Sequence, residues 1–173
     1  MPSSQTAPGT PAAPSGPVSV PAPGKRDCWQ ERFSTPRLEQ LLARYAPPVA
    51  DLVPPLLAGL RGIEGVGEEL RWFGIPWRWS LGFRHARDLS REWAVLVLKP
   101  DKPDLIVPLT HALLERFPSR RFTRGVRDGI VHAPQVAGVF WAQWEITSRP
   151  QVDELLDLLK VKMDRAGQLD PSK

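Results

Sequence analysis

Five arginines lie close together where the sequence predicts the start of a helix. They are Arg116, Arg120, Arg121, Arg124 and Arg127. Three of them, Arg120, Arg124 and Arg127, have the i, i+4, i+7 spacing of one helix face. Cations at a helix N-terminus oppose the helix dipole, so a phosphate, an acidic partner or a carboxylate of the chain itself would stabilise them. We interpret the five arginines as a candidate binding surface, and a purely solvated helix face is the alternative.

Tryptophan is the second residue type that indicates recognition. Six tryptophans fall in strand-like segments: Trp72, Trp77, Trp79, Trp93, Trp141 and Trp144. Trp141 and Trp144 are three positions apart, so a regular strand directs them to opposite faces and at least one is expected to be exposed. An exposed indole near arginines suits stacking on bases or contact with a peptide, and Trp144 is the candidate. The alternative is that all six are structural.

Residues that support covalent or metal chemistry lack the spacing which those reactions need. The sequence has no GxSxG motif and no phosphate-binding loop, and Cys28 is a single thiol. The three histidines, His85, His111 and His132, are too far apart to form a metal-ligand motif. We expect no catalytic residue, no metal site and no cofactor. An enzyme assembled from dispersed residues stays open as an alternative.

Proline content divides the 173-residue chain into a tail and a domain. Residues 1–24 contain seven prolines and no charged residue, and such a segment buries too little surface to offset the entropy of ordering. We predict a disordered tail over residues 1–28, a single domain over 29–167 and a disordered C-terminus over 168–173. No apolar run is long enough to span a membrane and no signal peptide is evident, which predicts a cytoplasmic protein without membrane contact.

Helical apolar spacing occurs in five segments. The predicted helices start near Pro36, Val49, Pro108, Arg120 and Ser148. In the second helix we expect Pro54 and Pro55 to kink or divide the helix, and the glycines from Gly59 onward to end it.

The last predicted helix has the clearest signals at both ends. Ser148 and Gln151 form a capping box, and Gly167 is the expected stop. Lys160 and Lys162 near the C-terminal end are explained by the helix dipole without a ligand.

The strands complete an α+β pattern. Residues 70–84 alternate like a half-buried strand, and residues 94–98 are expected to pair with it as a hairpin. Further strands are predicted over residues 105–107 and 136–146. The order of elements indicates a mostly antiparallel sheet of about four strands flanked by helices.

The layout from Leu70 to Met163 resembles that of small bacterial α+β domains. The residues that carry this resemblance are Gly74-Ile75-Pro76, the aromatic strand 77–83, the strands 94–98 and 141–146, and a closing helix with Lys160. The chain is similar in these features to the YdhG-like and MmcQ/YjbR-like families. The resemblance implies a compact antiparallel sheet with flanking helices, and possible parallels with frataxin-like iron handling or DNA binding. Arginines on the exposed helix depart from the acidic ridge that iron handling uses, so that role is not carried over.

Together these features favour a binding or adaptor domain without enzymatic activity. Its partner is expected to be a protein or another anionic molecule, contacted through the arginine face. The net charge of +4 fits such a partner but is too small to identify it. Nucleic-acid binding through the arginines and Trp144 is the main alternative.

Overall fold

A computed structural model describes residues 27–168 of the chain. Residues 1–26 of the predicted tail and residues 169–173 lie outside this range. Asp27, which the sequence assigns to the tail, forms an ion pair with Arg44 and accepts a hydrogen bond from the Trp29 backbone N–H at 2.9 Å. Within the described range, no helix has the length and apolar character needed to cross a membrane.

The described chain contains five α-helices, one 3-10 turn and six strands. The helices are α1 Leu38–Leu42, α2 Val49–Arg61, α3 His111–Glu115, α4 Arg124–Val131 and α5 Arg149–Gln168, with the 3-10 turn at Ser119–Arg121. The strands are β1 Val66–Trp72, β2 Trp79–His85, β3 Ala94–Val97, β4 Asp104–Thr110, β5 Gln135–Val136 and β6 Val139–Glu145.

The strands form one sheet in the order β1-β2-β3-β4-β6-β5, and every neighbouring pair is antiparallel. The antiparallel sheet and the β2–β3 hairpin confirm the prediction, but the expected number of about four strands was wrong. Tight turns divide two of the predicted strands. Gly74 and Arg78 between β1 and β2, and Ala137 and Gly138 between β5 and β6, have positive φ angles that reverse the chain.

The third predicted strand is longer than expected because Pro108 belongs to β4. Pro108 pairs with Trp141 of β6 but lies beyond Ile106, the last residue of β4 that pairs with β3. A proline has no N–H to donate, so it fits poorly in a strand with neighbours on both sides. At Pro108 only one neighbouring strand is present, and the proline is tolerated. The helix therefore starts at His111 and not at Pro108, with the Thr110 Oγ1 accepting a hydrogen bond from the Leu113 N–H at 3.3 Å.

Helix α2 is continuous through Pro54 and Pro55, so of the predicted kink or division the division was wrong. Pro54 is exposed and Pro55 is half-buried, so water can reach the backbone carbonyls of the preceding turn that lose their donors. Gly59 lies inside the helix and not at its end. A Cβ at residue 59 would lie 2.4 Å from the Leu156 Cδ1, so the glycine permits close approach of α2 and α5.

At the start of α5, the Ser148 Oγ accepts a hydrogen bond from the Gln151 N–H at 3.4 Å, as the capping box predicts. The Gln151 side chain turns instead to the Thr147 N–H at 2.9 Å. The helix extends through the expected stop at Gly167 to Gln168.

A single row of large apolar side chains crosses five strands on one face of the sheet. Successive pairing places Leu70, Leu81, Leu96, Leu105 and Trp144 side by side. At the end of this row the Trp144 Nε1 donates a hydrogen bond to the Val126 carbonyl of α4 at 3.0 Å. Helix α4 thus packs on β6, and α5 contacts both α4 and α2.

Two glycines of α4 give a matched test of this packing. A Cβ at residue 129 would lie 2.1 Å from the Trp144 Nε1, whereas a Cβ at residue 125 would have no atom within 4 Å. We expect Gly129→Ala to lower the free energy of unfolding by about 2 kcal/mol or more through overpacking. Gly125→Ala should raise it by up to about 1 kcal/mol through helix propensity. Urea denaturation measures both, and equal stabilities for the two variants would contradict the described contact.

Candidate functional site

The five predicted arginines are all exposed, but they do not share one helix. We call them the basic surface: Arg116, Arg120, Arg121, Arg124 and Arg127. Arg116 follows α3, Arg120 and Arg121 belong to the 3-10 turn, and only Arg124 and Arg127 lie on α4. The chain is extended at Phe122 and at the N-cap Thr123, so the predicted helical stripe that includes Arg120 is wrong.

Carboxylates of the domain compensate part of this positive charge. Arg121 and Arg124 lie 3.6 Å from carboxylate oxygens of Asp157 and Asp128, at exposed positions where ion pairs are weak. Arg116, Arg120 and Arg127 have no ion-pair partner among residues 27–168.

The N-terminus of α4 has its own internal acid. The Glu154 carboxylate of α5 accepts hydrogen bonds from both the backbone N–H and the hydroxyl of Thr123, the latter at 2.7 Å. A negative charge at this point satisfies backbone donors and opposes the cost of the nearby arginines. Glu154 therefore supplies, from within the fold, the negative charge that the dipole of α4 favours.

Trp144 is not available for recognition. It is 4% exposed and lies between the sheet and α4, so the prediction that it contacts a partner was wrong. Trp141, on the opposite face of β6, is half-buried and packs against Trp77 with ring centroids 5.5 Å apart. The predicted placement of these two tryptophans on opposite faces was correct, but Trp141 is only half-buried and is the more accessible of the two.

The shortness of β3 creates a groove at one end of the sheet. Strand β3 begins at Ala94, which pairs with Phe83 of β2, and β2 continues to His85. Strand β4 pairs with β3 only over residues 104–106 and continues alone past that point to Thr110 on its β3 side. The projecting ends of β2 and β4 line a concavity of about 800 Å³, which we call the groove.

The groove combines positive charge with an apolar wall. Its charged side chains are the cations Arg71, Arg84, Arg87, Arg91 and Lys162 and the acids Asp88 and Glu92. Its larger apolar side chains are Trp93, Pro108, Leu113, Val139, Trp141 and Met163. Arg71, Arg84 and Arg91 already pair with carboxylates. The positive charge that favours an anion therefore comes from Arg87 and Lys162, which have no ion-pair partner in the described chain.

Glu92 organises the arginines on one wall. Its side chain is 9% exposed, and Oε1 accepts hydrogen bonds from the Arg84 Nε at 3.0 Å and from Arg71. A Cβ at residue 82 would lie 2.7 Å from the Glu92 Oε2, so Gly82 provides the space for this carboxylate. Neither Glu92 Oε2 nor Arg71 Nε, both buried, has a hydrogen-bond partner within the described chain.

Lys162 brings a buried ammonium group from α5 to the groove. The residue is 7% exposed, and its Nζ donates a hydrogen bond to the Trp93 backbone carbonyl and lies 5.3 Å from the centroid of the Trp93 ring. No carboxylate in the described range pairs with it. Burial lowers the pKa of Lys162 from its ordinary value of 10.5 to about 7.

Sequence reasoning missed this lysine because it assigned Lys162 to the helix dipole. A signal was present, since Lys162 lies seven residues after the buried Leu155 and therefore on the apolar side of α5. The groove itself left no signal, because its residues come from five separate segments. Within residues 27–168, no group of three or more His, Cys, Asp or Glu side chains is arranged to hold a metal ion.

No protein-family model matches this chain, and comparisons with curated proteins and with solved structures also find no match. The likeness to YdhG-like and MmcQ/YjbR-like domains therefore stays a prediction from the sequence.

The buried ammonium predicts a specific pH dependence of stability. Between about pH 7 and 10.5 the unfolded chain keeps the Lys162 proton and the folded protein loses it. Because the unfolded state binds more protons there, the free energy of unfolding should rise with pH, by at most about 1.4 kcal/mol per unit from this group. Lys162→Met should remove that contribution. Denaturation curves at several pH values compare the two proteins, and a stability difference that does not change with pH would contradict the prediction.

Proposed function

We propose that this domain binds an amphipathic organic anion in the groove. The observation that carries the proposal is the Lys162 ammonium, which is buried, has no acidic partner in the described chain and makes one hydrogen bond, to Trp93. An ammonium group has three donors, so two remain for a ligand. Burial of an uncompensated charge is costly, and an anion in contact with it would reduce that cost.

The arginines extend the positive field beyond the lysine. Arg84 is half-exposed although it pairs with Glu92, and Arg87 is exposed without an ion-pair partner in residues 27–168. Guanidinium groups bind carboxylates and phosphates through paired N–H donors. A ligand whose head group reaches Lys162 would have these two arginines nearby for a second contact.

The apolar wall specifies the rest of the ligand. Trp93 is buried and Trp141 half-buried, and aromatic faces of this kind favour flat or alkyl groups. The volume of about 800 Å³ lies within the range of small-molecule sites. An anion with an apolar body uses both parts of the groove, which a simple inorganic anion would not.

A pair of dyes that differ in one charged group tests this function. Anilinonaphthalene sulfonate is an amphipathic anion, and phenylnaphthylamine has the same rings without the sulfonate. We expect Lys162→Met to weaken sulfonate binding by about tenfold or more, the value of one charge-assisted hydrogen bond, and to change phenylnaphthylamine binding by less than about twofold. Fluorescence titration gives both dissociation constants.

Lys160→Met is the matched control, because Lys160 lies on the same helix, is exposed and pairs with Asp157 at 3.4 Å. It should bind the sulfonate as the parent protein does. The proposal fails if the parent protein does not bind the sulfonate, or if the two lysine variants bind it equally.

The basic surface supports a second candidate, the docking of an acidic protein segment. The observation in its favour is that Arg116, Arg120 and Arg127 are exposed and lack ion-pair partners among the described residues. Such a surface complements a run of carboxylates and speeds association with it. Nucleic acid offers the same negative charge and is an outcome of the test.

Polyglutamate and duplex DNA distinguish the two partners. Replacing Arg116, Arg120 and Arg127 together by Gln should weaken polyglutamate binding at low salt by about tenfold, while the exposed Arg149→Gln, which breaks an ion pair with Asp153, should leave it unchanged. Binding is measured by fluorescence anisotropy. Stronger binding to DNA with a steep salt dependence would assign the surface to nucleic acid, and an unaffected triple variant would exclude both.

A further inference from the structure

Lys162 differs from every other lysine of the described chain in its surroundings. Lys99 pairs with Asp104, Lys102 lies 3.1 Å from Glu145, and Lys160 lies 3.4 Å from Asp157. A carboxylate neighbour stabilises the protonated amine, which has no lone pair for attack on an electrophile. Lys162 instead contacts a backbone carbonyl and an indole ring, and neither group carries the negative charge that would oppose the effect of burial.

We infer that Lys162 forms a covalent imine with the carbonyl carbon of an anionic aldehyde held in the groove. This inference rests on the proposed function, because the anionic group brings the aldehyde to the lysine. It adds that the ligand is a carbonyl compound and that the site is reactive as well as a binding site.

The reaction is a condensation that needs no oxidant or reductant. The lone pair of the neutral Nζ forms a bond to the carbonyl carbon, and the electrons of the C=O π bond move to oxygen. Both hydrogens of the amine then leave with that oxygen as one water molecule, and the C=N bond of the imine replaces the C–O bond. Desolvated lysines react in this way because their neutral form is populated near neutral pH, and the lowered pKa of Lys162 agrees with this requirement.

The groove supplies the positioning that such a reaction needs. Arg84 and Arg87 lie on the projecting end of β2 and the adjoining loop, where they can hold a carboxylate or phosphate of the aldehyde. The hydrogen bond from Nζ to the Trp93 carbonyl restricts the amine to one side of the groove. Trp141 offers a half-buried face against which an aromatic or alkyl body can pack.

Pyridoxal phosphate, an aromatic aldehyde with a phosphate, is a suitable probe. The full chain is incubated with it at neutral pH, the imine is reduced with borohydride, and mass spectrometry with fragment-ion mapping locates the secondary amine. We expect Lys162 to be labelled at least roughly tenfold faster than Lys160, Lys99 and Lys102, because more of its amine is neutral. Preferential labelling of any of those three, or equal labelling of all four, overturns the inference.

Two variants and a second ligand separate this inference from the proposed function. Lys162→Arg has no nucleophilic amine, so it should lose the adduct. Lys160→Met should keep both dye binding and the adduct. Pyridoxine phosphate, which has an alcohol in place of the aldehyde, should compete with the sulfonate dye without forming an adduct.

The outcomes are then distinct. Dye binding that depends on Lys162 with no adduct at Lys162 rejects the imine and retains the anion site. If the parent protein neither binds the dye nor forms the adduct, both the anion site and the imine are rejected. An adduct at Lys162 that forms equally fast with an uncharged aromatic aldehyde shows that the anionic group plays no part, and overturns the stated ligand class.

Discussion

Close packing between α2 and α5 fixes the helix on which both candidate surfaces depend. Gly59 leaves no space for a side chain beside Leu156, so the two helices approach more closely than any larger residue would permit. With α5 held in this position, Glu154 reaches the N-terminus of α4 and Lys162 reaches the Trp93 carbonyl. One helix therefore stabilises the basic surface with a carboxylate and places an ammonium group in the groove.

The basic surface and the groove differ in how much water surrounds their charged groups. On the basic surface the guanidinium groups are solvated, and water reduces the energy of each contact that they make. In the groove, Lys162 and the Glu92 carboxylate are removed from water, so an added charge has a larger effect on the free energy. Gly82 contributes here as well, because only a residue without a side chain leaves room for Glu92 above the sheet.

The sequence was sufficient for the features that follow from local spacing. The β2–β3 hairpin and the capped start of α5 depend on residues close together in the chain, and the order of the elements indicated the antiparallel sheet; these predictions were confirmed. The strand count was wrong because alternation continues through turns that positive φ angles create. Tertiary contacts decided the rest: Trp144 is buried by α4, and Lys162, which the spacing from Leu155 places on the apolar side of α5, has its partner Trp93 in a distant segment. A groove built from five separate segments has no continuous sequence signature.

The limited length of β3 also affects how the groove can adapt. Before Ala94, no ladder hydrogen bonds of β3 join β2 to β4, and the intervening loop is tied to the β2 side, where the Trp93 N–H donates to the Phe83 carbonyl at 2.7 Å. The spacing of the two walls can therefore change without breaking the sheet. If the groove binds a ligand as proposed, its width can then adjust to that ligand without the loss of a β3 ladder hydrogen bond.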